Sequence, residues 1–311
     1  MAETNSKLHK TGIIIVSFNS SSDLKKCIKS INEQSTLDNS LIPIVVDNQS
    51  SDNSVQVAKD AGAKVIENAK NLGFAKAVNI GIEEAFRQGS DHILIFNPDA
   101  SLQDDSINQL FHTLSSSTRV GAVGPSMVDE NGEESNSHYY LRAPGFFSVL
   151  FFSTFLRPWA LQRKSLLHFY SHTNLAREVQ EVDQIPGACL LIPRVVLEDV
   201  GLLDEDFAIW FEDVEWSYRA KKKGYSLLFS PNAQVQHEGG VSFNKWLGVE
   251  KTITFLVSMK TFFRKHKPLR LPLIVAVLSI NYFFVFLKTG DKDWLRVINK
   301  LILQKKGTLP N

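Results

Sequence analysis

A chain of 311 residues, 43% hydrophobic and 22% charged, holds enough apolar material for one large core and excludes the polar, charge-rich makeup of a disordered protein. Two cysteines, Cys27 and Cys189, are too few for a disulfide scaffold or a four-thiolate zinc site, and read as buried thiols in a reducing compartment. The net charge of +1 hides a division, because the chain from Lys245 onward carries 13 Lys or Arg against 3 Asp or Glu while the first 244 residues carry 21 against 30.

The first ten residues lack the apolar core of a secretory signal, so export is not expected. Gly12 to Phe18 is a nearly continuous β-branched run, which suits a parallel strand covered on both faces. Leu24, Cys27, Ile28 and Ile31 then recur at helical spacing, with a start signal in residues 20–23. Ile42 to Val46 repeats the strand and ends at Asp47-Asn48-Gln49-Ser50-Ser51-Asp52; Val55 to Ala61 supplies a short helix and Lys64 to Glu67 another strand. After a Gly-bearing turn, Val78, Ile82, Ala85 and Phe86 mark a helix. The strand His92 to Phe96 ends at Asn97-Pro98-Asp99, and Ile107, Leu110, Phe111 and Leu114 mark the helix after it. Alternating strands and helices predict a mostly parallel α/β sheet flanked by helices, whose ligand lies beyond the carboxyl ends of the strands. The polar motifs fall at those ends.

Beyond Val120 to Val123 the rhythm changes. Residues 131–180 mix turn formers with an aromatic stretch, Phe146 to Trp159, that suits an acceptor-side loop, a membrane-contacting helix or ordinary packing. Pro186-Gly187-Ala188 precedes a small apolar strand, an acidic helix start covers Glu212 to Glu215, and the strand Tyr225 to Phe229 leads to Pro231 and His237.

Several of these residues suit chemistry. Asp47, directly after a buried strand, is placed to grip base or ribose donors, the alternative being an Asx-turn or helix cap, which is the better reading for Asp52. Asn71, Gly73 and Asn79 would shape a nucleotide loop. Asp99 follows the rigid Pro98 at the ligand edge, where one carboxylate plus diphosphate oxygens can hold Mg2+ or Mn2+; otherwise it is a solvated turn residue. Glu212, Asp213 and Glu215 place three carboxylates in four positions, a repulsion that a metal, an arginine or an acceptor hydroxyl would relieve. Glu212, Glu215 and Arg219 share a helix face while Asp213 points elsewhere; Asp213 is the candidate general base, against the alternative of a solvated acidic helix start. His237, just before Gly239-Gly240, is either a nitrogen ligand or a packing histidine, whereas His92 inside a strand reads as structural.

Ile14-Ile15-Val16-Ser17-Phe18-Asn19, Val45-Val46-Asp47 through Asp52, Asn71-Leu72-Gly73-Phe74-Ala75, Asn97-Pro98-Asp99, Gly187-Ala188-Cys189-Leu190-Leu191, Phe211-Glu212-Asp213-Val214-Glu215 and His237 to Ser242 follow one another over about residues 10–245. In that order they resemble a family 2 glycosyltransferase of the GT-A fold, in its rhamnosyltransferase-like branch. The resemblance implies a metal-dependent inverting transferase that takes a sugar from a nucleoside diphosphate, dTDP-rhamnose ahead of a UDP-hexose, to a hydroxyl of a glycan or lipid-linked glycan. By resemblance Asp213 is the base, supported by Glu212 and Trp216; Ser17, Asn19, Asp47, Asn71, Asn79 and Asn97 face the nucleotide; and Asp99 and His237 hold Mn2+ or Mg2+. Asn97 takes the first place of the family's D-x-D motif, where it accepts hydrogen bonds but adds no negative charge. The domain reading is a catalytic domain over 1–245, divided into a nucleotide half (10–125) and an acceptor half (126–245), and a basic, apolar helical extension over 246–311.

Rival readings lack their own signatures. A sugar-nucleotide pyrophosphorylase wants an early Gly-rich phosphate loop, and a dinucleotide oxidoreductase wants G-x-G-x-x-G where this chain has Ser17-Phe18-Asn19-Ser20-Ser21. An inactive glycan- or nucleotide-binding scaffold of the same fold is the remaining alternative. In the extension, Leu271 to Leu287 is free of formal charge and as a helix would span about 26 Å, short of a hydrocarbon core of about 30 Å. Pro272 is tolerated in its first turn, Asn281 would need a partner at mid-depth, and basic residues flank both ends. Attachment to the anionic cytoplasmic face of a membrane is therefore expected ahead of a spanning or a buried helix, and nucleic acid is not the expected partner.

Overall fold

The computed structural model describes residues 9–34, 36, 39–135, 140–172, 178–237 and 248–304. The chain opens with β1 (His9–Ser17), α1 (Ser21–Asn32), β2 (Asn39–Asp47), α2 (Ser54–Asp60), β3 (Lys64–Glu67), α3 (Phe74–Arg87) and β4 (His92–Phe96). Strands β1, β2, β3 and β4 pair in parallel. Alternation along β1 sends Ile14 and Val16 into one core and Ile13 and Ile15 into the other, so the sheet is covered on both faces, as a continuous β-branched strand requires.

The sheet then departs from a purely parallel pattern. After β5 (Ala100–Leu102), α4 (Ser106–Leu114) and β6 (Val120–Val128) come β7 (Gln180–Glu181), β8 (Cys189–Pro193), α8 (Arg194–Val200), α9 (Glu212–Lys222) and β9 (Ser226–His237). The order across the sheet is β3-β2-β1-β4-β8-β6-β9-β5, with β7 also on β9. Strand β8 runs antiparallel to both β4 and β6, and β9 runs parallel to β6. β9 extends well past the anticipated Phe229. Its second half looks polar, yet Ala233, Val235 and His237 are buried in alternation, which keeps it in the sheet.

Among the described residues between β6 and β7, the aromatic stretch and the residues after it fold as three short helices, α5 (Phe146–Phe152), α6 (Arg157–Leu161) and α7 (Lys164–Leu167). The carboxyl-terminal extension forms α10 (Gly248–His266), a 3-10 turn (Pro268–Arg270), α11 (Leu271–Thr289) and α12 (Asp293–Leu303). The run Pro268–Thr289 is long and apolar enough to cross a membrane by length and composition alone. Its mid-helix Asn281 finds a partner in the protein: Oδ1 accepts the Phe155 N–H at 2.7 Å. Ile253, Phe262, Phe263, Ile274, Leu278 and Val297 of the extension share a third core with Phe207 and Phe211 of the loop before α9.

Helix α3 lies so close to the sheet that a Cβ on Gly81 would stand 2.4 Å from Ile14 Cγ2 and 3.2 Å from Val46 Cγ2. Intrinsic helix propensity favours alanine there by about 1 kcal/mol, whereas overpacking against a covered sheet costs about 1–3 kcal/mol. The contact is the larger effect. Gly81→Ala is expected to lower the urea midpoint, and a raised midpoint would contradict this packing.

Candidate active site

Three polar loops meet at the carboxyl edge of the parallel strands, because the register sets Ser17 of β1 opposite Asp47 of β2 and Ile15 opposite Phe96 of β4. The loops after β1 and β2 are laced together. Asp47, buried at its strand end, accepts the Ser50 N–H at 2.8 Å and the Ser50 hydroxyl; the same Ser50 Oγ accepts the Asn19 N–H at 2.9 Å. Asn19 Oδ1 in turn accepts the Ser51 N–H at 2.8 Å. Both Asn19 (φ 53°) and Gln49 (φ 67°) adopt the left-handed conformation that these tight turns require. The Ser17 side chain is buried, with no hydrogen-bond partner for Oγ. Asp52 accepts hydrogen bonds from Ser54 and from the Ser21 N–H. Burial opposes its ionisation, but those bonds prevail and hold the carboxyl down at about 2, as an Asx-type cap would.

The loop 71–74 approaches from β3. Asn71 Oδ1 accepts the Gly73 N–H at 3.0 Å, and the buried Asn48 joins this loop to β2 by donating to the Gly73 carbonyl at 3.2 Å. Gly73 (φ 85°) passes so near the Ala208 carbonyl that a Cβ would lie 2.6 Å from its oxygen. Asn79 is not turned to the loop. Its buried carboxamide accepts the Leu203 N–H at 3.1 Å and donates to the Leu203 carbonyl at 2.9 Å and to Glu205 at 3.2 Å, bracing the segment before α9.

Asn97, Asp99 and His237 come together although 138 residues separate the last two. The antiparallel β5–β9 ladder pairs Ala100 with His237, which puts His237 Nε2 at 3.0 Å from Asp99 Oδ1 and 3.2 Å from Asn97 Nδ2. A single imidazole nitrogen cannot donate to the carboxylate and accept from the amide at once. Turning the Asn97 amide over would remove the conflict, as would a cation among these groups. One carboxylate, one imidazole and one amide suit Mn2+, or Mg2+ with fewer protein ligands, when diphosphate oxygens complete the shell. Among the described residues there is no group of three or more His, Cys, Asp or Glu able to hold a metal unaided. Beside Asp99 lies a small cavity of about 130 Å3 lined also by Ser22, Asp23 and Lys26. A larger cavity of about 730 Å3, lined by His9, His92 and Phe111 among others, opens at the opposite edge of the sheet from these loops. Burial there, and the neighbouring His9, push His92 down to about 4, as befits a structural histidine. The Glu238–Ser242 stretch, with its paired glycines, lies outside the described residues.

Asp213 sits at the start of α9. Its Oδ2 accepts the Gly187 N–H at 2.8 Å and its Oδ1 accepts the Val214 N–H at 2.7 Å. The next residue, Ala188, accepts the Asn97 N–H at 3.0 Å, so the dipeptide Gly187-Ala188 ties the Asp213 carboxylate to the Asn97–Asp99–His237 group. Burial pushes the Asp213 carboxyl up, against the two N–H donors that hold it down. Glu212 is more deeply buried, its Oε2 has no hydrogen-bond partner, and burial together with the Asp213 charge pushes its carboxyl well up. The third carboxylate, Glu215, is relieved as its helix face suggests: Arg219 Nε lies 2.9 Å from both of its oxygens and His266 Nε2 2.9 Å from Oε1. Trp216 is fully buried and donates to the Gly201 carbonyl at 2.9 Å, so it supports α9 by packing. Asn48 and Ser50 organise the edge but carry no role in the sequence reading; their signal was the polar run Asp47 to Asp52 in which they stand.

A family model described as Glycosyl transferase family 2 matches residues 12–199. The low-salt glycan biosynthesis hexosyltransferase Agl10 of Haloferax volcanii is 27% identical over 221 residues, 71% of this chain and 64% of that protein. The N-acetylglucosaminyl-diphospho-decaprenol L-rhamnosyltransferase of Mycobacterium tuberculosis is 27% identical over 207 residues, 62% of this chain and 65% of that protein. The chain thus spans a little under two thirds of the length of these two relatives. The dTDP-rhamnosyl transferase RfbF of Shigella flexneri is 24% identical over 246 residues, covering 75% of this chain and 74% of its own. Among solved structures, GalNAc-T7 with UDP, GalNAc and Mn2+ superposes with a TM-score of 0.59 at 19% identity over 84% of this chain and 48% of its own. The mannosyltransferase PcManGT of Pyrobaculum calidifontis in complex with GDP-Man and Mn2+ does so with a TM-score of 0.54 at 17% identity, over 96% and 85%. These structural likenesses carry the GT-A fold.

Glu212 has a raised value in the folded state, so its ionisation opposes folding: the penalty is absent below its ordinary value of 4.5 and grows as pH rises through the folded value. Glu212→Gln, neutral at every pH, should therefore match the parent in stability near pH 4 and exceed it near pH 8 by about 1–3 kcal/mol. Denaturant melts at the two pH values test this. A difference that does not change with pH would refute the buried-charge description.

Proposed function

The chain belongs to glycosyl transferase family 2, and we propose that it moves a sugar from a nucleoside diphosphate to a hydroxyl of a glycan or lipid-linked glycan, with inversion at the anomeric carbon. The observation that carries this reading is the Gly187-Ala188 link, which joins an oriented carboxylate, Asp213, to the Asn97–Asp99–His237 group at the ligand edge of the sheet. dTDP-rhamnose is the favoured donor, supported by the two rhamnosyltransferases among the relatives, with a UDP-hexose the alternative.

In this reading Asp47, Asn19 and Asn71 border the base and ribose, and Ser17 and Asn97 line the floor beneath them. Asp99 and His237 are the residues that would hold Mn2+ or Mg2+. A bound divalent cation would supply charge neutralisation of the departing nucleoside diphosphate. Asp213 takes the proton of the acceptor hydroxyl as that oxygen attacks the anomeric carbon. Two N–H donors fix the direction of its carboxylate, and burial raises its basicity above that of an ordinary aspartate. Glu212 acts through Asp213 as a positioning residue, and Trp216 through the packing of α9. With one base and no second carboxylate acting as nucleophile, a single displacement inverts the sugar. Asn79 is given a bracing role and no nucleotide contact. Residues 1–245 form the catalytic domain and 246–311 an extension that holds the enzyme at the cytoplasmic face of a membrane.

Asp213→Asn removes the proton acceptor with little change in volume. Transfer from dTDP-rhamnose or UDP-hexose to a lipid-linked acceptor is expected to fall about 10²- to 10⁴-fold, while calorimetric binding of the nucleoside diphosphate stays within about twofold. Near-normal turnover would reject Asp213 as the base. Turnover with retained anomeric configuration, read by proton NMR of the product, would reject the single displacement.

A further inference from the structure

Large apolar side chains left exposed gather in two stretches of the chain. Phe147, Phe155 and Trp159 in and beside α5 and α6, and Ile280, Phe284 and Leu287 on α11, are each between 48% and 62% exposed. The two stretches form one surface. The Phe155 N–H bonds Asn281 Oδ1, the Phe155 and Phe284 rings lie 6.2 Å apart edge to face, and Trp159 sits 6.2 Å from Phe151.

Helix α11 carries the argument further. Ile274, Leu278 and Asn281, at spacings of four and three, are its buried face against the rest of the extension. The opposite face is also apolar, and no charged residue stands between Leu271 and Leu287. A helix covered on one side and facing water on the other carries a polar outer face, whereas one apolar all round has apolar surroundings on both sides. The rim identifies the second side. Residues 140–172 carry Arg142, Arg157, Arg163 and Lys164 and no Asp or Glu, with Arg142 paired to Asp183, and Arg270 and Lys288 stand at the ends of α11, beyond which Asp291 and Asp293 flank Lys292. The Arg163 guanidinium lies 5.2 Å over the Trp159 ring, the aromatic and cation pairing suited to a headgroup layer. A second copy of the chain on the same patch would bring these basic rims together.

We infer that α5–α7 and the outer face of α11 form one docking surface for an anionic bilayer, with α11 lying along the membrane plane and the aromatic stretch inserted beside it. This rests on the membrane-peripheral reading above and adds the aromatic stretch as its second half. Spanning is disfavoured by geometry: α11 is tied along one face to α10 and α12, and at Asn281 to Phe155, so crossing would carry Lys260 and Arg264 of α10 toward the hydrocarbon.

The test uses the purified full chain and flotation with vesicles of phosphatidylcholine alone or with one third phosphatidylglycerol. Binding is expected to the anionic vesicles and to weaken with salt. Phe155→Ser with Trp159→Ser, and separately Phe284→Ser, should each reduce binding about tenfold or more; Arg163→Glu with Lys164→Glu should reduce it only on anionic vesicles, about fivefold or more per charge. Thermal melts matching the parent show that these surface variants fold. Quenching of tryptophan fluorescence by brominated lipid should shrink in Trp159→Phe. Binding retained by the aromatic pair but lost in Phe284→Ser would overturn the composite surface and leave the extension as the sole anchor. No binding to either vesicle would overturn the membrane reading itself. Equal binding to both vesicle types, resistance to alkaline carbonate extraction, or a dimer in solution that Phe155→Ser dissolves would each overturn the inference.

Discussion

Strand β8 enters the sheet antiparallel to β4, with Cys189 opposite Phe96, and that one reversal brings its amino end, Gly187-Ala188, to the carboxyl edge of the parallel strands. There the Gly187 N–H fixes the Asp213 carboxylate and the Ala188 carbonyl receives the Asn97 N–H. The second long-range pairing, β5 on β9, depends on the same edge and adds His237 to Asp99. The proposed leaving-group side and the proposed base are thus held by backbone contacts rather than by one another.

The loop before α9 is held from two directions. On one side Asn79 clamps Leu203. On the other, α10 supplies His266 to Glu215, the Lys265 ion pairs to Asp204 and Asp206, and the Ser258 hydroxyl to the Ile209 carbonyl at 2.9 Å. Between these clamps Trp210 (φ 60°) and Phe211 (φ 70°) turn left-handed immediately before the Asp213 helix. A non-glycine residue in that conformation costs about 1–2 kcal/mol, which the aromatic contacts of Phe211 with Phe255 and Phe262 offset. The helices with the outward apolar face are therefore in mechanical contact with the segment that presents the proposed base.

Much of this edge was legible in the sequence, for physical reasons. Continuous β-branched runs marked β1, β2 and β4, and a carboxylate or amide directly after such a run falls at the ligand edge wherever the crossovers are helical. Asp47, Asn97 and Asp99 lie at that edge. Other features were hidden because they arise from pairings between distant segments, on which local periodicity is silent. Nothing near Asn79 indicates that its amide is occupied by Leu203, 124 residues away. The reversed direction of β8, the length of β9 beyond Phe229 and the partner of Asn281 have the same origin. The sequence leaves the aromatic stretch Phe146 to Trp159 open between three readings, because what joins it to α11, the Phe155 N–H on Asn281 and the Phe155 ring against Phe284, lies far along the chain.

The central claim is that the edge bounded by Asp47 and by the Asn97–Asp99–His237 group receives a nucleoside diphosphate with a divalent cation. A crystal grown with dTDP and Mn2+, with data collected at the manganese absorption edge, tests it directly. The account predicts an anomalous peak bonded to Asp99, His237 and the diphosphate, with the base on the Asp47 side. Nucleotide bound in the cavity lined by His9, His92 and Phe111, or manganese away from Asp99, would contradict it.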